Sequence, residues 1–402
     1  MPSPQFSLSQ RVAVTALGIV SPLGFGAAEN LASLREARDC VTAVERFDVS
    51  RTRSKTAGQI DFTKVSETET RRQKRLHPAS KIMIAAAREL REQDAGFEPE
   101  FLVIGTTSGG MSFGEQFFRG QVAKDRSPRS ASWLANYLPH KAVLDAQEAC
   151  GFTAPSQIVA NACASGTNAV GHAANLIRAG KYRSILCGGY DVISEMVYVG
   201  FDSLQASTPE KIRPFDKGRT GLVLGEGAGL LALESWESAT KRGAPILAEV
   251  TGYGISTDNY HLTQPNPSGI GPKLAMGRAL ASAKRNAADV DYINAHGTAT
   301  AFNDATEGLA ITQLFGERTP VSSTKSLMGH SLGAAGSIEA VFSVLALQHQ
   351  FLPPNINYHE ADPAWSINIV ANEARDAKVR CVVSNSFGFG GTNASIVLER
   401  PN

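Results

Sequence analysis

Two stretches of this 402-residue chain echo one another, and the echo restricts the folds open to it more than any other feature. The block CASGTNAVGHAANLIRA from Cys163 is matched by HSLGAAGSIEAVFSVLA from His330, with Gly166 opposite Gly333 and Ala169 opposite Gly336. Each block follows a short apolar run. Each is followed by another that ends in a glycine-rich turn, LCGGYD from Leu186 and SNSFGFGGTN from Ser384. A duplicated α/β unit of this spacing places Cys163 and His330 at equivalent helix starts, related by a pseudo-twofold.

The rest of the pattern agrees. Short apolar runs read as strands at Val12 to Ile19, Phe101 to Gly105, Gln157 to Ala160, Ser184 to Gly188 and Gly229 to Leu233. A second set lies at Tyr292 to Asn294, Val321 to Ser323, Arg380 to Ser384 and Ala394 to Leu398. Amphipathic segments such as Ala79 to Glu92, Asn168 to Ala179, Gly271 to Ala287 and Ile338 to Gln348 separate them. Such alternation predicts an α/β protein with largely buried strands. No proline-rich, serine-rich or charged linker divides the halves, so the boundary near Gly243, giving 1–243 and 244–402, is nominal and the halves are expected to share one core.

Cys163 sits where a strand turns into a helix of small residues, Ala164 to Gly171. Unpaired N–H groups of a first helical turn favour a thiolate and can hold an oxyanion, and small neighbours let a substrate carbonyl approach. A buried structural cysteine is the other reading of the same position. His296 lies in NAHGTATAFNDATEG directly after the strand YIN, at a strand end where ligands gather in α/β sheets, and Thr298 and Thr300 supply hydroxyls able to grip an amide. A histidine that merely caps a turn fits there too. His330 has Lys325 five residues before it and Glu339 nine after. A folded helix start would bring ammonium and carboxylate close to the ring, fixing its tautomer and biasing its pKa; a solvated surface pair is the alternative.

SNSFGFGGTN lacks the Lys-Ser/Thr of a phosphate-binding loop. A hinge over an apolar pocket suits it better, with Phe387 and Phe389 lining or moving; core packing of both rings is the competing reading, and for Phe387 the preferred one. One cysteine and two histidines, remote in sequence, suit an enzyme that binds an acyl group and then polarises a second carbonyl. The residues taken alone lead as far as acyl transfer.

Composition excludes other classes. A net charge of +1 gives no global reason for a nucleic acid or anionic membrane partner. Five cysteines without a CxxC pair argue against a disulfide framework or zinc site and fit a reducing, cytoplasmic setting. The N-terminal apolar run, Val12 to Val20, is short and reads as a first strand rather than a signal peptide or membrane span.

From about Val12 to Leu398 the chain resembles the β-ketoacyl-acyl carrier protein synthases, condensing enzymes of the thiolase superfamily, most closely the elongating type with a Cys-His-His site. The matching stretches are NACASG around Cys163, RPFDKGRTGLVLGEGAG from Arg213, NAHGTAT around His296, STKSLMGHSLGAAGSIEA around Lys325 and His330, and NSFGFGGTN from Asn385. The resemblance implies a thiolase-like five-layered α-β-α-β-α duplication with two mixed sheets, and a homodimer or a heterodimer with a related chain. It implies that Cys163 takes an acyl chain from acyl carrier protein, and that His296 and His330 hydrogen-bond the thioester carbonyl of malonyl-acyl carrier protein as CO2 leaves. The N–H groups of Cys163 and Phe389 would form the oxyanion hole, with Phe389 also a gate. Lys325 and Glu339 would organise His330, and Thr298 and Thr300 would hold pantetheine. No metal or organic cofactor is expected, since the phosphopantetheine arm belongs to the carrier.

Two basic clusters, Arg71, Arg72, Lys74 and Arg75, then Lys124, Arg126 and Arg129, suit docking of an acidic carrier and equally a solvated face. Three departures bear on substrate choice: a shortened segment between Pro139 and Pro155, expected near the dimer interface and the floor of the acyl pocket; Ser108, a candidate substrate-binding residue, where elongating synthases carry a bulkier apolar one; and Thr220 after Arg219 where an acidic residue is common. A non-catalytic chain-length-determining subunit and a thiolase-type acyl-CoA enzyme are the rival readings. Cys163 together with both histidines opposes the first.

Overall fold

The computed structural model of the protein describes residues 11–66, 75–124 and 129–401. Its main elements in the first half are β1 (Val12–Ser21), α1 (Pro78–Gln93), β2 (Phe101–Gly105), α2 (Met111–Val122), α3 (His140–Cys150), β3 (Ser156–Val159), α4 (Ser165–Arg178), β4 (Ser184–Asp191), α5 (Glu195–Ser203) and β5 (Gly227–Ser235). The second half holds β6 (Ala248–Thr257), α6 (Ile270–Ala283), β7 (Tyr292–Asn294), α7 (Ala301–Phe315), β8 (Pro320–Ser322), α8 (Ala335–His349), β9 (Asn368–Ile369), β10 (Cys381–Gly388) and β11 (Thr392–Glu399).

Strand order repeats between the halves. The first runs β1-β5-β4-β2-β3 and the second β6-β11-β10-β7-β8, with β9 added at its edge. Directions repeat too. β1–β5 and β5–β4 are antiparallel while β4–β2 and β2–β3 are parallel. In the second half β6–β11 and β11–β10 are antiparallel while β10–β7 and β7–β8 are parallel. The two mixed sheets meet edge to edge through two residue pairs, Ala13 with Glu249 and Val14 with Ala248, so the described residues form one continuous twelve-stranded sheet that includes the short arm Gly24–Phe25 on β1.

Helices complete five layers. α1, itself packed on α3, covers the outer face of β1 and β5, while α6 covers β6 and β11 with α7 beside it. α4 and α8 lie between the sheets and touch strands of both halves. Their sequences explain the placement. α8 is buried from Ala335 to Leu347 with no polar stripe, as a helix packed on all sides requires. Leu332–His349 is the one segment among the described residues long and apolar enough to cross a membrane, and 89% of it is buried inside the fold.

The echoed glycines mark where α4 and α8 cross. A Cβ on Gly166 would lie 2.7 Å from the Ser337 nitrogen and 2.8 Å from the Gly333 oxygen. One on Gly336 would lie 2.6 Å from Ser386 Oγ and closer still to Thr167 Oγ1. Both helix starts are thus pressed against each other at the centre of the molecule, and this brings Cys163 and His330 together.

Candidate active site

Cys163 follows β3 through a tight turn in which Ala162 takes φ +45°. The thiol is buried. Burial pushes it up to about 11; the Lys325 cation and the backbone N–H groups of Phe389 and of Cys163 itself act in the opposite direction. The N–H groups of Ala164 and Ser165 donate to Asn161 O (3.2 Å) and Ala162 O (3.1 Å) within the turn. The N–H groups of Cys163 and Phe389 face the sulfur.

His296 and His330 arrive from the second half. The backbone N–H groups of His296 and Gly297 donate to Glu307 Oε1 and Oε2, each at 2.8 Å, which pins the loop after β7 onto α7. His330 is held through its own backbone: its N–H donates to Val223 O (2.7 Å) and its carbonyl accepts from Gly225 N–H (2.8 Å). The two rings meet edge to face with centroids 5.2 Å apart, and Phe387 lies edge-on to His296 at 6.0 Å. Burial drives both imidazoles well below their ordinary value; the Lys325 cation adds to this at both, and His330 at His296. Both are therefore neutral near pH 7, and each has one ring N–H to give. His330 Nδ1 and Nε2 and His296 Nδ1 have no protein partner.

Lys325 and Glu339 form a buried ion pair. Neither hydrogen-bonds His330, whose ring nitrogens are both unpartnered, so the pair acts on the ring through charge and does not fix its tautomer. Burial raises Glu339 to about 7 against the opposing pull of Lys325, and its Oε2 is unpartnered.

A cavity of about 190 Å³ joins these groups. Cys163, His296 and His330 line it together with Thr298, Thr300, Phe387 and Phe389. The hydroxyls of Thr298 and Thr300 lie 2.9 Å apart, and Thr300 also caps α7. Phe387 is both packed and lining, so the two readings of that ring coincide. Ser108 is not among the residues that line this cavity; its hydroxyl donates to Asp191 Oδ1 (2.8 Å), and its N–H donates to the same oxygen, which anchors the loop. Thr220 does line the cavity, with its hydroxyl 2.6 Å from that of Thr208. Of the basic clusters, Arg71, Arg72, Lys74 and Arg126 lie outside the described residues. Arg75 and Lys124 are exposed, and Arg129 begins the helix Arg129–Tyr137.

Three acidic residues that position the site escape a reading of the sequence. Buried Asp191 accepts from the N–H groups of Thr107, Ser108 and Gly333 and from the Thr106 and Ser108 hydroxyls, which ties the loop after β2 to the turn after His330. Asp304 accepts from Phe215 N–H (2.7 Å) and Ala299 N–H (3.1 Å). Glu307, raised by burial to about 7, also accepts from Asn385 Nδ2 (3.2 Å), joining the His296 loop to the strand that leads to Phe389. The available signal was the spacing of Asp304 and Glu307, i and i+3 on α7 directly after the histidine.

Known proteins share this arrangement. The sequence pattern of "Beta-ketoacyl synthase, N-terminal domain" matches residues 9–239 and that of "Beta-ketoacyl synthase, C-terminal domain" residues 247–359. The chain is 37% identical to the 3-oxoacyl-[acyl-carrier-protein] synthase 2 of Rhizobium meliloti (strain 1021), over 97% of this chain and 99% of that one. Among solved structures, the ishigamide ketosynthase/chain length factor superposes with a TM-score of 0.92 at 33% identity, covering 98% of this chain and 100% of that one. A ketosynthase complex described as a type II polyketide synthase acyl-carrier protein with its hexaketide-bound ketosynthase gives 0.88 at 27% identity, with the same coverage. By pattern, by identity over nearly its full length and by fold, this chain belongs to the β-ketoacyl synthase family.

Proposed function

We propose that the protein is an elongating 3-oxoacyl-acyl carrier protein synthase whose nucleophile is Cys163 and whose decarboxylation pair is His296 and His330. One observation carries this reading: a thiol and two neutral imidazoles from opposite halves of the chain line a single cavity. In the first half-reaction Cys163 Sγ attacks the thioester carbonyl of an acyl carrier. The sulfur–acyl bond forms, the carrier thiolate leaves, and the Cys163 proton goes to it. In the second, malonyl carrier enters with its thioester oxygen between the two imidazole N–H groups. CO2 departs and those donors hold the enolate, so they bind charge that exists only as the reaction proceeds.

The enolate carbon then attacks the Cys163 thioester, and the N–H groups of Cys163 and Phe389 hold the resulting oxyanion. Collapse expels the Cys163 thiolate, which takes a proton from solvent, and releases a 3-oxoacyl carrier two carbons longer. The malonyl thioester carbonyl is itself the electron sink, with the two imidazole N–H groups stabilising the charge it gathers, and the pantetheine arm of the carrier runs past Thr298 and Thr300, so no cofactor of the enzyme's own enters the scheme. Burial, with the Lys325 charge added to it, keeps both rings uncharged and therefore able to donate without becoming acids.

A thiol used this way must stay reduced, and the five free cysteines support a cytoplasmic setting. The partner in an assembly is a second copy or, as in the ishigamide ketosynthase/chain length factor, a chain length factor; the likeness to a type II polyketide synthase ketosynthase supports a polyketide pathway beside fatty acid synthesis. Mixing the protein with an acyl carrier and malonyl carrier should yield CO2 and a 3-oxoacyl carrier heavier by two carbons in mass spectrometry. Turnover of acetoacetyl-CoA and free CoA, with none on carriers, would overturn the reading in favour of a thiolase.

A further inference from the structure

The Phe389 N–H must stay aimed at the Cys163 sulfur, yet its backbone has little to hold it. Gly388 precedes it, Gly390 and Gly391 follow at φ +82° and +74°, and a Cβ on Gly390 would meet nothing within 4 Å. On its far side the loop is held by Gly390 N–H, which donates to Leu262 O (2.7 Å), and at Gly391 O, which accepts from Asp258 N–H (2.8 Å) and Asn393 Nδ2 (3.3 Å). The Phe389 side chain has an aromatic restraint. The Phe389 ring lies on that of Phe201, with centroids 5.5 Å apart and planes 20° from parallel.

Phe201 sits on α5, which is anchored independently of the loop. Ser194 caps it, accepting from Val197 N–H, and Met196 N–H donates to Glu115 Oε1 on α2 (2.7 Å). Asp202 accepts from the N–H groups of Arg53 and Ser54, and Tyr198, buried one turn before Phe201, donates its hydroxyl to Thr56 O (3.1 Å). A flat ring on a fixed helix thus faces a ring on a glycine-flanked loop. We propose that Phe201 is a positioning residue for reaction at Cys163, holding Phe389 so that its backbone N–H remains on the sulfur and on the oxyanion formed there.

This rests on the two half-reactions described above, and it separates them. Acyl loading and condensation both pass through an oxyanion at the Cys163 thioester, whereas malonyl decarboxylation relies on the imidazoles. A displaced Phe389 N–H therefore slows loading and spares CO2 release. The test compares wild type with Phe201→Leu, Phe201→Ala and Phe201→Tyr, reading single-turnover acylation of Cys163 by intact mass and CO2 release from malonyl carrier without primer. Phe201→Leu and Phe201→Ala should load about tenfold more slowly with CO2 release within about twofold of wild type, as expected for loss of one stacked pair. Phe201→Tyr, which keeps the flat face, should load like wild type. Should Phe201→Ala fail to fold, Phe201→Leu, which retains apolar volume without the ring, decides the matter. Unchanged loading, or loading and CO2 release falling together, would overturn the proposal while leaving the ketosynthase reading intact. A wild-type protein that neither loads nor releases CO2 would overturn both.

Discussion

At the scale of single residues the site is a set of buried ionisable groups arranged so that few are charged. A buried sulfur facing two amide N–H groups is a thiol at rest, so its reactivity depends on a small thiolate fraction and on the oxyanion donors beside it. Alkylation of Cys163 by iodoacetamide in the free protein should rise about tenfold per pH unit from pH 7 to 10, because the thiolate fraction does so below a pKa near 11. A plateau by pH 8 in the rate measured by peptide mass spectrometry would contradict this. The neutral imidazoles are donors, and His330→Ala removes one of two. CO2 release from malonyl carrier should fall by about 10² to 10³, the usual loss for a single donor to a developing oxyanion; release within a few-fold of wild type would remove His330 from the role given it. The nucleophile and both histidines are legible in the sequence because each lies among small residues at a strand end. Asp191 is not, because its partners are backbone N–H groups on loops far away in the chain, and Glu307 is not, because an acid on a helix does not announce that it turns back onto the N–H groups of the preceding loop.

At the scale of elements, the crossing of α4 and α8 determines whether the site exists. Gly336→Ala would gain about 1 kcal/mol of helix propensity. The added methyl has no room beside Thr167 and Ser386, and overpacking of this kind costs about 1–3 kcal/mol. The expected result is a lower urea midpoint together with a larger fractional loss of activity than of stability, since the helix starts are pushed apart where Cys163 and His330 depend on them. An unchanged midpoint would show that the crossing is slack. The same use of glycine hid one strand from the sequence pattern. β6 alternates buried positions with half-buried or exposed ones, but Gly252 and Gly254 stand where α6 presses on the strand, leaving no room for the apolar side chains that announce a strand. β1, β4 and β10 were visible because each carries a run of apolar side chains, Cys381 to Val383 in the last, which continues through Ser384, Asn385 and Ser386 to Gly388, beyond the expected end at Ser384.

At the scale of the whole molecule, duplication is the reason that chemistry divided between two halves can converge. Matching strand orders bring the nucleophile from the first half and the imidazoles from the second to the helix starts at the shared centre, and the two-pair seam between β1 and β6 makes one sheet of both. The echo between the Cys163 and His330 blocks already contained that relationship. What it lacked was the contact between helices, which only packing supplies. The central claim is that Cys163 takes up an acyl chain and surrenders it to a malonyl-derived carbon, and intact-protein mass spectrometry follows both events. Wild-type protein mixed with an acyl carrier should gain the acyl mass on Cys163 and lose it when malonyl carrier is added, with the lengthened chain appearing on the carrier and Cys163→Ala showing neither change. An acyl adduct on another residue, or a lengthened product made equally well by Cys163→Ala, would contradict the account.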